Sequence, residues 1–233
     1  MDAAMRVLKY LQRTRHLKLT FGNLSGKPLC DGLMQTPEGL VAFTDSSWGD
    51  EKPASGHAIF LNGSLISWCS RRLKSTPLSS CESEYMAASN AATDVIHQQD
   101  LFEDIMGRAV KGPTTIFCDN SAACQLTEDA MSGKRVKHAL RRLTYLRELK
   151  EEGKVTLKFI SGEVNPADIF TKNLAGARFA KLRQMLLSGS AEADTSEQKE
   201  VPAHYTYYEL DYDSLDENGE PKSIVPYDDL MWP

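Results

Sequence analysis

The sequence predicts an α/β fold in which helices pack against a mixed β-sheet, in the order β-β-β-α-β-α-α-β-α. Three strand-like runs are followed by alternating helices and strands, a pattern typical of such a sheet. Asn62-Gly63 separates two of these runs and predicts a β-hairpin, because both residues tolerate positive φ. Ser79-Ser80-Cys81-Glu82 has the form of a capping box and predicts the start of a helix.

Residues 1–37 are predicted to be an N-terminal helix and linker. Apolar residues at helical spacing among Arg and Lys predict a basic amphipathic helix from Ala3 to Leu17. Leu17 to Phe21 alternates as a short strand would, and Gly22 to Pro28 is a turn-rich link. The helical pattern follows the first methionine without a capping residue, so we expect this chain to be a piece of something longer.

Residues 38–187 contain the predicted α/β domain, and residues 188–233 an acidic tail. The predicted strands cover residues 40–44, 57–61, 64–69, 114–118 and 154–160. The predicted helices cover 79 to about 97, 121–126, 137–152, a segment opening at Asn165-Pro166, and 177–187. Little periodicity remains after Ser188, and this composition is typical of a disordered or loosely attached tail.

The net charge of −5 is the sum of a basic main part of the chain and an acidic C-terminal segment. Residues 188–233 carry 12 Asp and Glu against 2 Lys, whereas residues 1–187 carry 25 Lys and Arg against 20 Asp and Glu. A basic body that also contains clustered acids suits a polyanionic substrate held near metal ions.

Cysteine usage and hydropathy exclude several classes of protein. The five cysteines are odd in number and lack C-x-x-C spacing, which argues against a disulfide framework or a zinc site. The chain lacks an apolar run of about 20 residues and a signal peptide's apolar centre, so we expect an intracellular protein without a membrane partner. Phosphate-loop and nucleophile-elbow motifs are also missing, and we expect no small-molecule cofactor.

Four acids occupy similar positions at the ends of predicted elements. Asp45 and Asp119 end predicted strands, while Glu84 and Asp168 lie in first helical turns. Each alone has an ordinary structural explanation, such as capping a turn or a helix or compensating the helix dipole. Together they predict an all-oxygen site for Mg²⁺, with Mn²⁺ as a possible substitute. Two such ions about 3.5–4 Å apart can activate water and stabilise the leaving oxygen of a phosphodiester.

Five segments that carry these acids resemble the ribonuclease H domain of copia-type retrotransposon polyproteins. They are Phe43 to Trp48, Ile66 to Arg72, Leu78 to Ala87, Ile116 to Asn120 and Ala167 to Lys172. Their order and gaps also match. Arg6 to Arg15 resembles the segment that joins reverse transcriptase to that domain.

The resemblance implies a ribonuclease H-like five-stranded mixed sheet and a metal-dependent nuclease. Position by position, the catalytic, metal-binding acids fall on Asp45, Glu84, Asp119 and Asp168. The implied activity is cleavage of the RNA strand of an RNA–DNA hybrid with two divalent ions. A reverse transcriptase portion of a parent polyprotein is an implied partner.

Four further residues are candidates for binding nucleic acid. Arg71, Arg72 and Lys74 lie between the third strand and the helix of Glu84, where they would contact backbone phosphates or simply face water. Asn120 would reach a 2′-hydroxyl or cap a helix, and the cap is slightly favoured.

Two other functions stay open. Fold alone does not guarantee chemistry, so the chain could be a catalytically idle module that binds nucleic acid or protein. The acidic tail and the missing polymerase favour that alternative, whereas the complete acid set favours the nuclease. A different nuclease or strand-transfer enzyme of similar topology would need another arrangement of acids.

Overall fold

The computed structural model describes residues 2–19, 21, 28–30, 33–34, 39–49, 53–128, 140–174 and 176–188. All of these lie within the compact unit Met1–Ala191. The helices are α1 (Asp2–Arg13), α2 (Ser80–Met106), α3 (Ser121–Glu128), α4 (Leu140–Glu151) and α5 (Gly176–Ser188). The strands are β1 (Pro28–Cys30), β2 (Leu33–Met34), β3 (Leu40–Ser46), β4 (Ala54–Leu61), β5 (Ser64–Arg72), β6 (Thr114–Cys118) and β7 (Val155–Phe159). Two 3-10 helices, Gly162–Val164 and Pro166–Phe170, follow β7.

The main sheet has five strands in the spatial order β5-β4-β3-β6-β7. Strands β3, β4 and β5 form an antiparallel meander, whereas β6 runs parallel to β3 and β7 runs parallel to β6. The predicted five-stranded mixed sheet is therefore confirmed. Because β3 and β6 are parallel neighbours, the residues that follow their carboxyl ends emerge at the same edge.

The predicted hairpin joins β4 to β5. Asn62 has φ of 49° and Gly63 has φ of 81°, the two positive values that a tight two-residue hairpin turn requires. The turn fixes the register that pairs Leu61 with Ser64.

The capping box starts α2 as predicted. Ser79 accepts a hydrogen bond from the backbone N–H of Glu82, and the Glu82 carboxylate accepts one from the backbone N–H of Leu78. The helix continues past the predicted end near His97 to Met106, where Gly107 adopts the left-handed conformation with φ of 65°. Buried alanines along α2 let the helix lie close to the sheet; they are Ala87, Ala88, Ala91 and Ala92.

Alternating side chains of β3 supply two cores, one on each face of the sheet. Leu40 and Ala42 pack with residues of α2, α3 and α4. Phe43 points to the other face, where it stacks on Phe117 and packs with residues of α5. Both faces of the sheet are thus covered, as a mixed α/β sheet requires.

Several predicted boundaries differ from the structure. The short strand expected over residues 17–21 is wrong at the described positions, which are irregular, and the small antiparallel pair β1 and β2 lies in the predicted linker. The segment after Asn165 is a 3-10 helix rather than an α-helix. The start of the helix predicted at 137, residues 22–27 of the link, and the tail beyond Ser188 lie outside the described residues.

Among the described helices, none combines the length and the apolar character that crossing a bilayer requires.

Candidate metal centre

Asp45 and Asp119 are placed by the parallel pairing of β3 and β6. The register pairs Phe43 with Phe117, two residues before each acid. Asp45 is fully buried at the end of β3, and Asp119 follows the last residue of β6. The two carboxylates therefore meet at one edge of the sheet, as the strand-end pattern predicted.

Asp168 is brought to the same edge by Asn165. The buried Asn165 side chain donates a hydrogen bond to the backbone oxygen of Thr44 at 2.9 Å and accepts one from Ala167 N–H at 3.1 Å. It therefore caps the 3-10 helix that carries Asp168 and ties that helix to β3 beside Asp45. One carboxylate oxygen each from Asp45, Asp119 and Asp168 lies within 4.8 Å of the other two.

Glu84 reaches this edge from the first turns of α2. Its Oε1 accepts a hydrogen bond from the Ser46 hydroxyl at 2.9 Å. Its Oε2 is buried, and no group in the described part of the chain donates a hydrogen bond to it. An unsatisfied buried carboxylate oxygen is costly unless a proton or a cation satisfies it.

Burial and repulsion from neighbouring carboxylates raise the pKa of Asp45, Glu84 and Asp119 and so disfavour their ionisation. Burial raises the pKa of Asp45 to about 6, although the hydrogen bond from Thr171 acts in the opposite direction. Burial, followed by the charges of Asp45 and Asp119, raises the pKa of Glu84 to about 8. Burial also raises the pKa of Asp119. The cluster consequently favours a bound proton or cation.

Two basic residues that the sequence analysis did not identify already contact the cluster. The Lys172 Nζ lies 3.0 Å from Asp45 Oδ1 and 2.8 Å from Asp168 Oδ1. Arg178 of α5 forms an ion pair with the other Asp168 oxygen and also donates to the Gly162 carbonyl. Lys172 follows Asp168 by four residues, a spacing that could have predicted their pairing. Arg178 carries no comparable local signal.

The donor set fits a divalent cation such as Mg²⁺. All candidate ligands are carboxylate oxygens, the atoms that this ion prefers. Space beside Asp119 depends on a glycine, since a Cβ at Gly162 would lie 2.9 Å from Asp119 Oδ2. The buried Glu84 Oε2, which accepts no hydrogen bond from the described residues, is a further candidate ligand.

The predicted nucleic-acid-binding residues lie on neighbouring elements. Arg71 of β5 pairs with Ser55 of β4, and Ser55 pairs with Ser46 of β3. The backbone of Arg71 is therefore level with the end of β3 that carries Asp45, two strands away. Its guanidinium contacts Asp94 at 3.0 Å, and the buried His57 approaches the same Asp94 oxygen at 2.9 Å.

Arg72 and Lys74 are exposed at and after the end of β5. Asn120 accepts a hydrogen bond from Ala123 N–H at 3.0 Å and so caps α3, the slightly favoured explanation. Binding of nucleic acid by these four residues stays a prediction.

Comparison with known proteins identifies relatives among mobile elements. The chain is 26% identical over 189 residues to the retrovirus-related Pol polyprotein from transposon TNT 1-94 of Nicotiana tabacum, covering 79% of the chain and 13% of that protein. It is 27% identical over 184 residues to the Pol polyprotein from transposon RE2 of Arabidopsis thaliana, covering 76% and 12%. The chain is homologous to retrotransposon Pol polyproteins. The copia-type resemblance is therefore confirmed, and the chain spans about one eighth of the length of these relatives.

One further sequence similarity covers a shorter part of the chain. The chain is 33% identical over 99 residues to the secreted RxLR effector protein 161 of Plasmopara viticola, covering 41% of the chain and 62% of that protein. No protein-family model matches the chain.

Among solved structures, the N-terminal RNase H domain of rv2228c from Mycobacterium tuberculosis is 11% identical with a TM-score of 0.44, covering 64% of this chain and 98% of that one. LC11-RNase H1 in complex with an RNA/DNA hybrid is 16% identical with a TM-score of 0.43, covering 57% and 93%. The strand order reported above agrees with the five-stranded mixed sheet that the motifs implied.

Proposed function

We propose that the chain is a metal-dependent endonuclease that hydrolyses the RNA strand of RNA–DNA hybrids. The observation that carries this proposal is the convergence of the Asp45, Asp119 and Asp168 carboxylates at one sheet edge, where Asp45 and Asp168 are buried. Glu84, on which the charges of Asp45 and Asp119 act, keeps a buried Oε2 without a hydrogen-bond donor among the described residues. Structural acids do not usually accumulate at a place where burial and repulsion oppose their charge.

Asp45, Glu84, Asp119 and Asp168 are the proposed catalytic residues and would hold two Mg²⁺ ions, for which Mn²⁺ would substitute. When bound, such ions activate water and stabilise the leaving oxygen of the phosphodiester. The chain's own contribution is rigid positioning. Ser46 holds one Glu84 oxygen at 2.9 Å.

The proposed substrate rests on homology to Pol polyproteins and on the motifs that resemble a ribonuclease H domain. Arg71, Arg72 and Lys74 would contact the phosphate backbone, which carries little sequence information and suits a nuclease of low sequence specificity. Asn120 would distinguish RNA from DNA through a 2′-hydroxyl if its amide N–H₂ donates while its oxygen caps α3.

A parent polyprotein with a reverse transcriptase portion is the proposed context, with the nuclease in residues 38–187. The idle binding module remains a second candidate, because the chain is also similar to a protein described as a secreted effector. A nuclease assay separates the two.

The test uses the purified chain with Mg²⁺ and labelled RNA–DNA hybrid, DNA duplex or RNA duplex. We expect metal-dependent cutting of the RNA strand of the hybrid alone, reduced at least about 1,000-fold by Asp45→Asn or Asp119→Asn. Asp104→Asn, which alters an exposed acid of α2, is the matched control and should cut normally. Cutting that persists in both site variants would indicate a contaminant, and no cutting by a folded, metal-binding chain would favour the idle module.

A further inference from the structure

Lys172 lies between the carboxylates of the proposed metal centre. Its Nζ is 2.8 Å from Asp168 Oδ1, 3.0 Å from Asp45 Oδ1 and 3.7 Å from Asp119 Oδ2. These acids are the three whose oxygens converge within 4.8 Å. A single ammonium group therefore neutralises part of the charge of all three.

The other contacts of the acids show which bond an entering cation can replace. The second Asp45 oxygen accepts from the Thr171 hydroxyl, and the second Asp168 oxygen pairs with Arg178. Both oxygens of each acid thus already have a donor. A carboxylate oxygen can keep a hydrogen bond while it binds a metal, but a divalent ion and an ammonium group held by the same two oxygens repel each other. Lys172 is the donor that the two acids share, so its departure frees one oxygen on both.

The Lys172 side chain has a route away from the cluster. It is 36% exposed, although the carboxyl groups of Asp45 and Asp168 are fully buried. Lysine carries its charge on a flexible four-carbon stem and is strongly hydrated in water. The ammonium can consequently leave the acids and enter solvent without a movement of the backbone.

We infer that Lys172 is an internal counter-cation of the metal-free protein, which competes with divalent metal for the acid cluster. This inference rests on the proposed metal-dependent function. Lys172 stabilises the metal-free chain by offsetting the repulsion between Asp45, Asp119 and Asp168. It also sets the divalent concentration at which the site fills, since each binding event must displace it.

The test compares the wild-type chain with Lys172→Met, which keeps the stem and removes the charge. Free Mn²⁺ is measured by electron paramagnetic resonance during titration with MnCl₂ at pH 7.5, and thermal unfolding is followed with and without chelator. We expect Mn²⁺ to bind Lys172→Met about tenfold more tightly, which corresponds to about 1.4 kcal/mol. The variant should also unfold at a lower temperature than the wild type when metal is absent.

Two further variants separate the position of the charge from its presence. Lys172→Arg keeps a cation among the acids and should not bind Mn²⁺ more tightly than the wild type. Lys158→Met removes the same charge from an exposed position on β7 and should leave both readouts unchanged.

The possible outcomes distinguish this inference from the proposed function. Equal or weaker Mn²⁺ binding by a folded Lys172→Met overturns the competition while leaving the metal centre intact. Tighter binding by Lys158→Met as well would assign the effect to net charge and would overturn it too. If neither the wild type nor Lys172→Met binds Mn²⁺, the metal centre itself is refuted, and the inference fails with it.

Discussion

Replacing Glu84 by Gln should stabilise the metal-free chain at alkaline pH. Glu84 is buried, and burial together with the charges of Asp45 and Asp119 raises its pKa to about 8. Gln has nearly the same shape, and its amide oxygen can still accept the hydrogen bond from Ser46. The substitution therefore removes a disfavoured charge and leaves the packing almost unchanged.

The size of the effect follows from the shift in pKa. A rise from 4.5 to about 8 makes the ionised Glu84 cost about 5 kcal/mol of folding free energy at full ionisation, since each unit corresponds to about 1.4 kcal/mol. The folded chain binds this proton more tightly than the unfolded chain does. The stability that the bound Glu84 proton gives to the folded chain is therefore fully present below pH 4.5 and is lost as pH rises through 8. Because Gln does not ionise, Glu84→Gln should not lose stability at this site as the pH rises.

The assay is urea unfolding in the presence of chelator at pH 5, 7 and 8.5. At pH 8.5 we expect the free energy of unfolding of Glu84→Gln to exceed that of the wild type by at least about 2 kcal/mol, with little difference at pH 5. Glu148→Gln, which makes the same chemical change on the exposed surface of α4, should behave as the wild type. A wild-type advantage at pH 8.5, or a difference independent of pH, would refute the electrostatic reasoning.

Two further substitutions test how the acids are positioned. Gly162→Ala would place a Cβ 2.9 Å from Asp119 Oδ2, so we expect Mn²⁺ affinity measured by titration to fall about tenfold; unchanged affinity would show that Asp119 can move without loss. Asn165→Ala removes the bonds to the Thr44 oxygen and to Ala167 N–H, so urea unfolding should show a loss of about 2–3 kcal/mol. A loss below about 0.5 kcal/mol would mean that water replaces both bonds.

The parts of the fold that the sequence predicted are those with local signals. The Asn62-Gly63 turn and the Ser79 cap act within a few residues, and both occur where the pattern indicated. The end of α2 lacked such a pattern near residue 97, because the apolar periodicity simply weakens while the helix continues to Gly107. The attachment of Pro166–Phe170 to β3 depends on Asn165 reaching Thr44, a contact between residues 121 positions apart.

The candidate site shows the same division between local and distant causes. Asp45 and Asp119 could be predicted from the residues before them, since an acid after an apolar strand emerges at a sheet edge. The unpartnered Glu84 oxygen could not, because it depends on which groups fold around it. Arg178 lies on a separate helix whose position is set by packing against Phe43 and its neighbours, so its pairing with Asp168 required the folded chain.

The electrostatics of the cluster connect stability with proposed activity in opposite directions. Burial holds Asp45 and Asp168 in fixed positions, which suits ligands of a closely coordinated ion, but burial also raises the pKa of Asp45 and so disfavours its charge. Lys172 and Arg178 offset that cost in the metal-free chain, whereas the Glu84 oxygen lacks such a donor among the described residues. A substitution that stabilises the metal-free chain by removing a carboxylate from the cluster should therefore weaken metal binding. A substitution that removes an internal cation should strengthen metal binding and destabilise the metal-free chain. Glu84→Gln and Lys172→Met should therefore change stability in opposite directions, and they should also change metal affinity in opposite directions.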